Sequence, residues 1–264
     1  MSKYSSERVP VSRVRHLSPN YHSLKLGPWS RINECRPGQF VHLGLPDSEI
    51  YFRRAMSIAA VDTGSGQIEI IFKVFGRGTR ILSGYHKGDV VDVLGPLGVP
   101  FTPPRQNETC LFVAGGVGFP PLFYLASRLV ARGRDPETIE FFYGGRTSGE
   151  VVERQRIRQL GVRFHPVTDD GSFGSKGLVT EAVEKYLDGH PVKRPRMYAC
   201  GPDGMLKAAD DLARKLGIPG EVSLEAPMPC GFGVCLGCVV PLRAGGHARV
   251  CKEGPVFQIG EVLL

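Results

Sequence analysis

The chain has 264 residues, 42% of them hydrophobic, and a formal net charge of +7 at pH 7. A chain of this length and composition can bury a substantial core, and its length indicates two domains or more. No run of five lysines or arginines occurs, so we do not expect nucleic-acid binding. The first ten residues lack the apolar stretch of a secretory signal, and glycines and a Pro-Pro pair interrupt the long uncharged run at residues 110–127. We therefore expect a cytoplasmic protein without a membrane span.

Short apolar runs between residues 7 and 100 predict a series of β-strands. In the run at residues 67–74, apolar residues alternate with mostly polar ones, which predicts a strand with one buried face. Similar runs occur at residues 39–45, 55–61 and 89–94. Glycine, proline and aspartate separate these runs, as is typical of a small antiparallel β-barrel.

From residue 108 to about residue 225 the pattern changes to strands that alternate with helices. The expected strands lie at residues 109–114, 138–143 and 162–167, and the expected helices at residues 120–132 and 151–160. Two further strand–helix pairs follow, ending with a strand at residues 196–200 and a helix at residues 204–216. Such alternation predicts a doubly wound α/β domain, in which helices cover both faces of a parallel sheet. We therefore divide the chain into three domains, at residues 1–104, 105–226 and 227–264.

Four of the seven cysteines lie in the last 35 residues, at Cys230, Cys235, Cys238 and Cys251. Their spacing is that of a plant-type 2Fe-2S cluster, in which four thiolates hold two irons. The segment has too little apolar sequence to fold unaided, so a cluster would supply its centre. Two alternatives stay open: a structural zinc site, which favours paired cysteine knuckles, and a Rieske centre, which needs two histidines where the tail has only His247.

Two loops carry the sequence features of a nucleotide site. The first follows a predicted strand and opens a helix, where backbone N–H groups can receive a pyrophosphate. Its glycines are Gly115, Gly116 and Gly118. The second follows another strand and consists of Cys200, Gly201 and Pro202. Because ligands of parallel sheets gather at the carboxyl ends of the strands, the two loops together predict a nicotinamide site, although each alone is also typical of an ordinary turn.

The predicted barrel contains a second set of candidate phosphate-binding residues. Arg54 and Ser57 place a cation and a hydroxyl on one strand, and Gly78 and Thr79 lie in a turn that enters a short helix. Together they predict a second phosphate-bearing cofactor. Taken singly, an arginine on a strand is more often part of a solvated face.

In this order, Arg-x-x-Ser, Gly-x-Gly-Thr, Gly-Gly-x-Gly-x-Pro-Pro, Cys-Gly-Pro and the four-cysteine tail resemble the ferredoxin–NADP reductase superfamily across nearly the whole chain. Within it, the tail sequences MPCGFGVCLGCVVPL and VCKEGPVF are similar to those of electron-transfer subunits of type B dihydroorotate dehydrogenases. The resemblance implies an FAD-binding barrel, an NAD domain and a small ferredoxin-like 2Fe-2S domain.

The resemblance also implies roles for individual residues. It places Arg54 on the FAD phosphates, Ser57 near the flavin ring, and Gly78 with Thr79 at the pyrophosphate. The chain departs from the pattern at Met56, where the superfamily often has tyrosine, and at Ala55, where the closer family has proline. The full expected set of cofactor-binding residues is Arg54, Ala55, Met56, Ser57, Ile71, Phe72, Lys73, Gly78, Thr79, Gly115, Gly116, Gly118, Cys200, Gly201 and Pro202.

The function that the resemblance implies is an electron relay, from dihydroorotate through an FMN-carrying catalytic subunit to this chain's cluster, FAD and finally NAD. A dihydroorotate-oxidising barrel needs about 250 residues of its own, so the substrate site lies on a partner, expected in a heterotetramer, and no catalytic residue is assigned here. Partner docking is expected beside Cys235, at exposed Phe232 and Val234, with simple packing of these two residues around the cluster as the alternative. An NAD(P)H-ferredoxin or hydrogenase-type reductase subunit and a zinc-containing binding module remain alternatives. NADP also stays open as the coenzyme, because Arg146 follows the second strand of the predicted α/β domain, where an arginine can meet a 2′-phosphate.

Overall fold

The computed structural model describes residues 5–46 and 48–264. Its first part is a closed barrel with strand order β1-β2-β5-β4-β3-β6, in which neighbouring strands are antiparallel. The strands are β1 (Ser6–Ser18), β2 (Tyr21–Leu26), β3 (Phe40–Gly44), β4 (Arg54–Asp62), β5 (Gln67–Lys73) and β6 (Val90–Leu97), and helix α1 (Arg77–Ser83) joins β5 to β6. The predicted antiparallel barrel is confirmed.

One detail of the barrel differs from the sequence interpretation, because β5 is buried on both faces. Its apolar face packs in the barrel core, but Glu69 and Ile71 on the other face are also only 2% and 3% exposed. This second face lies against the second domain instead of solvent. The prediction of a half-buried strand is therefore wrong. A polar residue in the sequence pattern can face solvent or can pair with a polar group of another domain, and the pattern does not distinguish the two.

Glu69 is the centre of an ion cluster that joins the barrel to the second domain. The carboxylate lies 2.8 Å from Arg15 of β1 and 2.8 Å from Arg156, and it also accepts a hydrogen bond from Ser23. Glu153 pairs with both arginines. Burial acts to raise the pKa of Glu69, but Arg156, Ser23 and Arg15 outweigh it and leave the pKa below its ordinary value. Glu69 is thus held as a paired, ionised carboxylate.

The remaining strands and helices belong to the second and third parts of the chain. The strands are β7 (Thr109–Gly115), β8 (Ile139–Gly145), β9 (Arg163–Thr168), β10 (Ser175–Lys176), β11 (Pro195–Cys200), β12 (Gly220–Ser223), β13 (Val239–Pro241), β14 (His247–Arg249) and β15 (Val256–Gln258). The helices are α2 (Phe119–Ala131), α3 (Arg154–Gln159), α4 (Val179–Gly189) and α5 (Asp203–Lys215). Seven strands form one sheet in the order β10-β9-β8-β7-β11-β12-β15, in which only β15 is antiparallel to its neighbour.

The central strand β7 shows why helices cover both faces of this sheet. All of its residues from 110 to 114 are apolar and buried, as expected for a strand between two helical layers. Leu111 and Val113 belong to the core that includes α4 and α5, whereas Phe112 and Ala114 belong to the core that includes α2 and α3. The predicted doubly wound α/β domain is confirmed.

The third part of the chain packs against both of the others. Strands β13 and β14 form a hairpin, while β15 extends the sheet of the second domain through β12. Pro255 forms an isolated bridge with Val99, directly after the barrel. The three predicted parts are present, and their boundaries at residues 104 and 226 stay a prediction. Within the described residues, no helix has the length and apolarity needed to cross a membrane.

The ion cluster predicts that Glu69→Gln destabilises the protein. Removing the charge leaves Arg15 and Arg156 with Glu153 as their one shared carboxylate at a buried site, so we expect the free energy of unfolding to fall by about 3 kcal/mol in urea titrations at pH 7. Glu34→Gln is the matched control, because Glu34 pairs with Arg31 at the surface and should contribute less than about 1 kcal/mol. Equal losses from the two substitutions would contradict the prediction.

The same variant predicts a pH dependence. Because the folded-state pKa of Glu69 is lowered, its stabilising contribution is present above the ordinary value of 4.5 and is lost as the pH falls through the lower folded value. The stability difference between wild type and Glu69→Gln should therefore shrink in urea titrations performed below pH 4.5. A difference that grows on acidification would contradict this sign.

Candidate functional site: two adjoining cavities and a cysteine loop

A cavity of about 410 Å³ opens on the barrel, and we call it the barrel cavity. Most of the residues expected at FAD line it, namely Ala55, Met56, Ser57, Ile71, Phe72, Lys73 and Thr79. Phe40 of β3 closes one side, and Cys200, at the end of β11, reaches it from the second domain. The burial of Cys200 raises its thiol pKa, so the group stays protonated. The cavity therefore lies between the two domains, with an uncharged thiol in its wall.

Arg54 and Gly78 lie together at the edge of this region. A Cβ atom at Gly78 would come within 3.0 Å of the Arg54 side chain, so the arginine passes directly over the first turn of α1. The Nε atom of Arg54 is buried and has no hydrogen-bond partner among the described residues. A buried donor without a partner is costly, and a phosphate oxygen would satisfy it. Thr79 has a different role, because its hydroxyl accepts from the backbone N–H groups of Phe75 and Gly76 and fixes the turn.

A second cavity, of about 690 Å³, lies at the carboxyl ends of β7, β8 and β11, and we call it the nucleotide cavity. Five of the six predicted nucleotide residues line it, namely Gly115, Gly116, Gly118, Gly201 and Pro202, and Cys200 is the one that lines the barrel cavity instead. A Cβ atom at Gly118 would lie 2.3 Å from the carbonyl oxygen of Cys200. Only glycine allows the two loops to come this close, so the structure brings both predicted loops into one site.

The two cavities adjoin, because Lys73, Val117 and Glu225 line both of them. Glu225 follows β12 and was not identified from the sequence. Although its side chain is open to the cleft, desolvation by the surrounding protein and the nearby Asp203 raise its carboxyl pKa. A ligand group in the barrel cavity can thus meet a ligand group in the nucleotide cavity at this junction.

Sequence reasoning also missed polar residues of the nucleotide cavity. Glu150 accepts hydrogen bonds from Lys73 at 2.7 Å and from Arg146 at 2.8 Å. Desolvation acts to raise the Glu150 pKa, but these two cations outweigh it and bring the pKa to about 2. Tyr21 also lines the cavity, and its buried hydroxyl has no partner among residues 5–46 and 48–264. Of these residues, only Glu150 could have been found from the sequence, because it lies four residues after the oppositely charged Arg146.

The four cysteines form two pairs. The Sγ atoms of Cys238 and Cys251 are 3.3 Å apart and buried, while Cys230 pairs with the exposed Cys235. Burial acts to raise the Cys230 pKa, but hydrogen bonds from the backbone of Cys235, Phe232 and Val234 outweigh it and leave the value at about 6. Two pairs of thiols with backbone donors around them fit a cluster in which each iron takes two thiolates. In the described part of the chain, no three metal-binding side chains converge as they would around one ion.

Apolar side chains surround the exposed Cys235. Val234 is 70% exposed and Leu236 is 62% exposed, which confirms the expectation for Val234. The same expectation is wrong for Phe232, which is half-buried because it packs against the apolar core beneath the cysteine loop. Leu236 was not identified from the sequence.

Family models match the three parts of the chain in order. An oxidoreductase FAD-binding domain matches residues 8–101, an oxidoreductase NAD-binding domain matches residues 112–211, and the iron-sulfur cluster binding domain of dihydroorotate dehydrogenase B matches residues 225–263. These matches confirm the expected FAD, NAD and iron–sulfur cofactors.

Among solved structures, the chain is similar to an NADH-dependent reduced ferredoxin-NADP oxidoreductase, with a TM-score of 0.85, 30% identity and coverage of 97% of this chain and 89% of that one. A Neisseria gonorrhoeae ferredoxin NADP⁺ reductase, at 19% identity and a TM-score of 0.69 over 82% of this chain and 93% of that one, shares the fold.

Curated relatives match over most or all of their length. A protein of Shouchella clausii is 38% identical over 87% of each chain, and one of Geobacillus thermodenitrificans is 37% identical over 98% of each. Both are named as the electron transfer subunit of dihydroorotate dehydrogenase B (NAD(+)). The family expected from the four-cysteine tail is therefore confirmed, and the chain belongs to the electron transfer subunits of the NAD-linked dihydroorotate dehydrogenases B.

Proposed function

We propose that the chain passes electrons from a dihydroorotate-oxidising partner subunit to NAD, through a 2Fe-2S cluster on the four cysteines and an FAD in the barrel cavity. The observation that carries the proposal is the order of the sites. The nucleotide cavity shares Lys73, Val117 and Glu225 with the barrel cavity, and the third part of the chain contributes Met228 and Pro255 to the barrel cavity. The flavin site thus lies between the nicotinamide site and the cluster site.

This order matches the chemistry that the cofactors supply, because a 2Fe-2S cluster exchanges single electrons, a nicotinamide exchanges a hydride, and a flavin exchanges either. The protein's part is to bind and orient them. Arg54 and Gly78 are proposed at the FAD phosphates, Ser57 and Lys73 at the flavin ring, and the two glycine-containing loops at NAD. Val117 is the apolar residue where the two cavities meet, and Cys200 is an uncharged wall of the barrel cavity.

The exposed residues around Cys235 support docking of a partner. Val234 and Leu236 flank the cysteine that lies nearest to solvent, so an apolar partner surface would cover the cluster edge and exclude water from it. The three cofactor-binding parts occupy the chain, and a dihydroorotate-oxidising barrel takes about 250 residues more. We propose that this barrel is an FMN-carrying catalytic subunit in a cytoplasmic heterotetramer.

NAD is the proposed coenzyme. Arg146 could in principle meet the 2′-phosphate of NADP, but in the structure its guanidinium is paired with Glu150, which also pairs with Lys73. Asp169, directly after β9, adds a further carboxylate to the cavity lining. Carboxylates favour a ribose hydroxyl and disfavour a phosphate at this end of the cavity.

The deciding experiment combines the purified chain, with its flavin and iron, and a catalytic dihydroorotate dehydrogenase B subunit. We expect dihydroorotate to reduce NAD only when both subunits are present, followed as NADH absorbance. A second candidate function, an NADH-linked ferredoxin reductase subunit, is favoured by the 30% identity to the ferredoxin-NADP oxidoreductase structure. A chain that contains all of its cofactors and reduces ferredoxin with NADH, but forms no NADH from dihydroorotate, would support that candidate.

Cys235→Ser is expected to separate the two halves of the relay. Loss of this ligand should abolish electron transfer to the partner but leave the reduction of FAD by NADH within about twofold, because Cys235 lines neither cavity. Stopped-flow absorbance measures the flavin step. Cys35→Ser, at a half-buried cysteine of the barrel, is the control and should preserve both activities. Equal loss of both activities in Cys235→Ser would mean that the cluster mainly supports the fold.

Glu150→Gln is expected to shift the coenzyme preference towards NADPH. The substitution removes the charge that pairs with Arg146, so this arginine becomes available to a 2′-phosphate. We expect the ratio of kcat/KM for NADPH to that for NADH to rise about tenfold, equivalent to roughly 1.4 kcal/mol. Glu184→Gln, which removes a surface ion pair with Lys215 outside the cavity, is the control and should leave the ratio unchanged. An unchanged ratio in Glu150→Gln would rule out this carboxylate as a determinant of coenzyme choice.

A further inference from the structure

His42 is a buried polar residue that none of the three proposed cofactor sites includes. It lies in the middle of β3 and is 0% exposed. Its ring is 5.9 Å from the ring of Phe40, at an interplanar angle of 72°, and Phe40 lines the barrel cavity. The imidazole is therefore one side chain away from the proposed flavin site.

The opposite side of the imidazole lies against the cysteine loop. A Cβ atom at Gly231 would come within 2.6 Å of Nδ1 and 2.8 Å of Cε1 of His42, and Gly231 has a φ of +80°. Gly231 directly follows Cys230, the first of the four cysteines. Phe40, His42 and Gly231 thus form a continuous packed column from the barrel cavity to the first proposed cluster ligand.

The ring nitrogens of His42 have unmet hydrogen-bonding capacity. Neither Nδ1 nor Nε2 has a partner in hydrogen-bonding geometry among the described residues. Burial and the charges of Arg53 and Arg54 lower the pKa of His42 to about 4. The backbone of Met228 and of Cys230 lies close enough to the ring to act in the opposite direction, towards a higher pKa. An imidazole carries at least one N–H donor in either charge state, and leaving a buried donor unpaired costs about 1–3 kcal/mol.

We propose that His42 is a positioning residue for the cluster: it directs its Nδ1–H at the loop that carries Cys230, and it fixes that ligand against the wall of the flavin site. The proposal rests on the 2Fe-2S cluster of the proposed function and adds a residue outside the cysteine motif. An N–H dipole beside a cluster ligand stabilises the extra negative charge of the reduced cluster, which raises the reduction potential. The residue therefore acts on the flavin-to-cluster step and not on the hydride step.

Three substitutions of His42 distinguish the effect of its N–H donor from the effect of its packing. His42→Phe and His42→Leu keep an apolar side chain without a donor, whereas His42→Asn places an amide N–H near the position of Nδ1. In the full chain, we expect His42→Phe and His42→Leu to lower the cluster potential in an EPR-monitored redox titration and to change the EPR spectrum of the reduced cluster. The equilibrium constant for electron transfer from reduced flavin to cluster should fall about tenfold, which corresponds to a hydrogen bond to a charged group. His42→Asn should restore most of this loss.

The rate of FAD reduction by NADH, measured by stopped flow, should stay within about twofold of wild type in all three variants, because that step uses the nucleotide side of the flavin. His86→Phe, at an exposed surface histidine, is the control and should change nothing. If the donorless variants lose iron while His42→Asn retains it, the positioning role is supported as well. Equal potentials, spectra and iron contents for His42→Asn and His42→Leu would overturn the proposal.

These measurements need no partner subunit. A chain whose cluster potential depends on His42 but which transfers no electrons from dihydroorotate would retain the inference and lose the proposed partner. A wild-type chain that contains zinc and no iron would overturn both.

Discussion

The paired carboxylate of Glu69 is the contact on which the arrangement of the sites depends. Arg15 of the barrel and Arg156 of the second domain share it, so the buried carboxylate has both of its cationic partners only when the two domains meet in this orientation. Ion pairs of this kind add little net stability compared with apolar packing, but they penalise alternative placements of the partners strongly. The shared boundary of the two cavities, at Lys73, Val117 and Glu225, follows from that orientation.

A second constraint comes from the third part of the chain. Strand β15 pairs with β12 of the second domain, and the residue just before it, Pro255, contacts the end of the barrel at Val99. The cysteine loop is thereby held between the two nucleotide-binding domains, although it contributes few strands of its own. The close approach of Gly231 to His42 brings this loop within one side chain of the flavin wall.

The features that the sequence could predict are those with a local pattern. Short apolar runs predicted four of the six barrel strands, β3 to β6, but not β1 and β2. Glycine loops after apolar strands predicted the nucleotide cavity, and cysteine spacing predicted the cluster ligands. The features it could not predict depend on residues far apart in the chain. Glu69 was assigned to a solvated face because Arg156, its partner, lies 87 positions away. Phe232 was expected on the surface for the same reason, because its packing partners come from the assembled core and not from its neighbours in sequence.

The walls of the barrel cavity have a consequence for how the holoprotein matures. Met228 and Pro255 belong to the part of the chain that the cysteines organise, yet they form one side of the cavity proposed for FAD. A cluster that orders this part of the chain would therefore also complete the flavin pocket, and a flavin that fills the pocket would in turn favour the ordered segment. Binding of each cofactor is thermodynamically linked to binding of the other, so the chain should bind its flavin more weakly when iron is lacking.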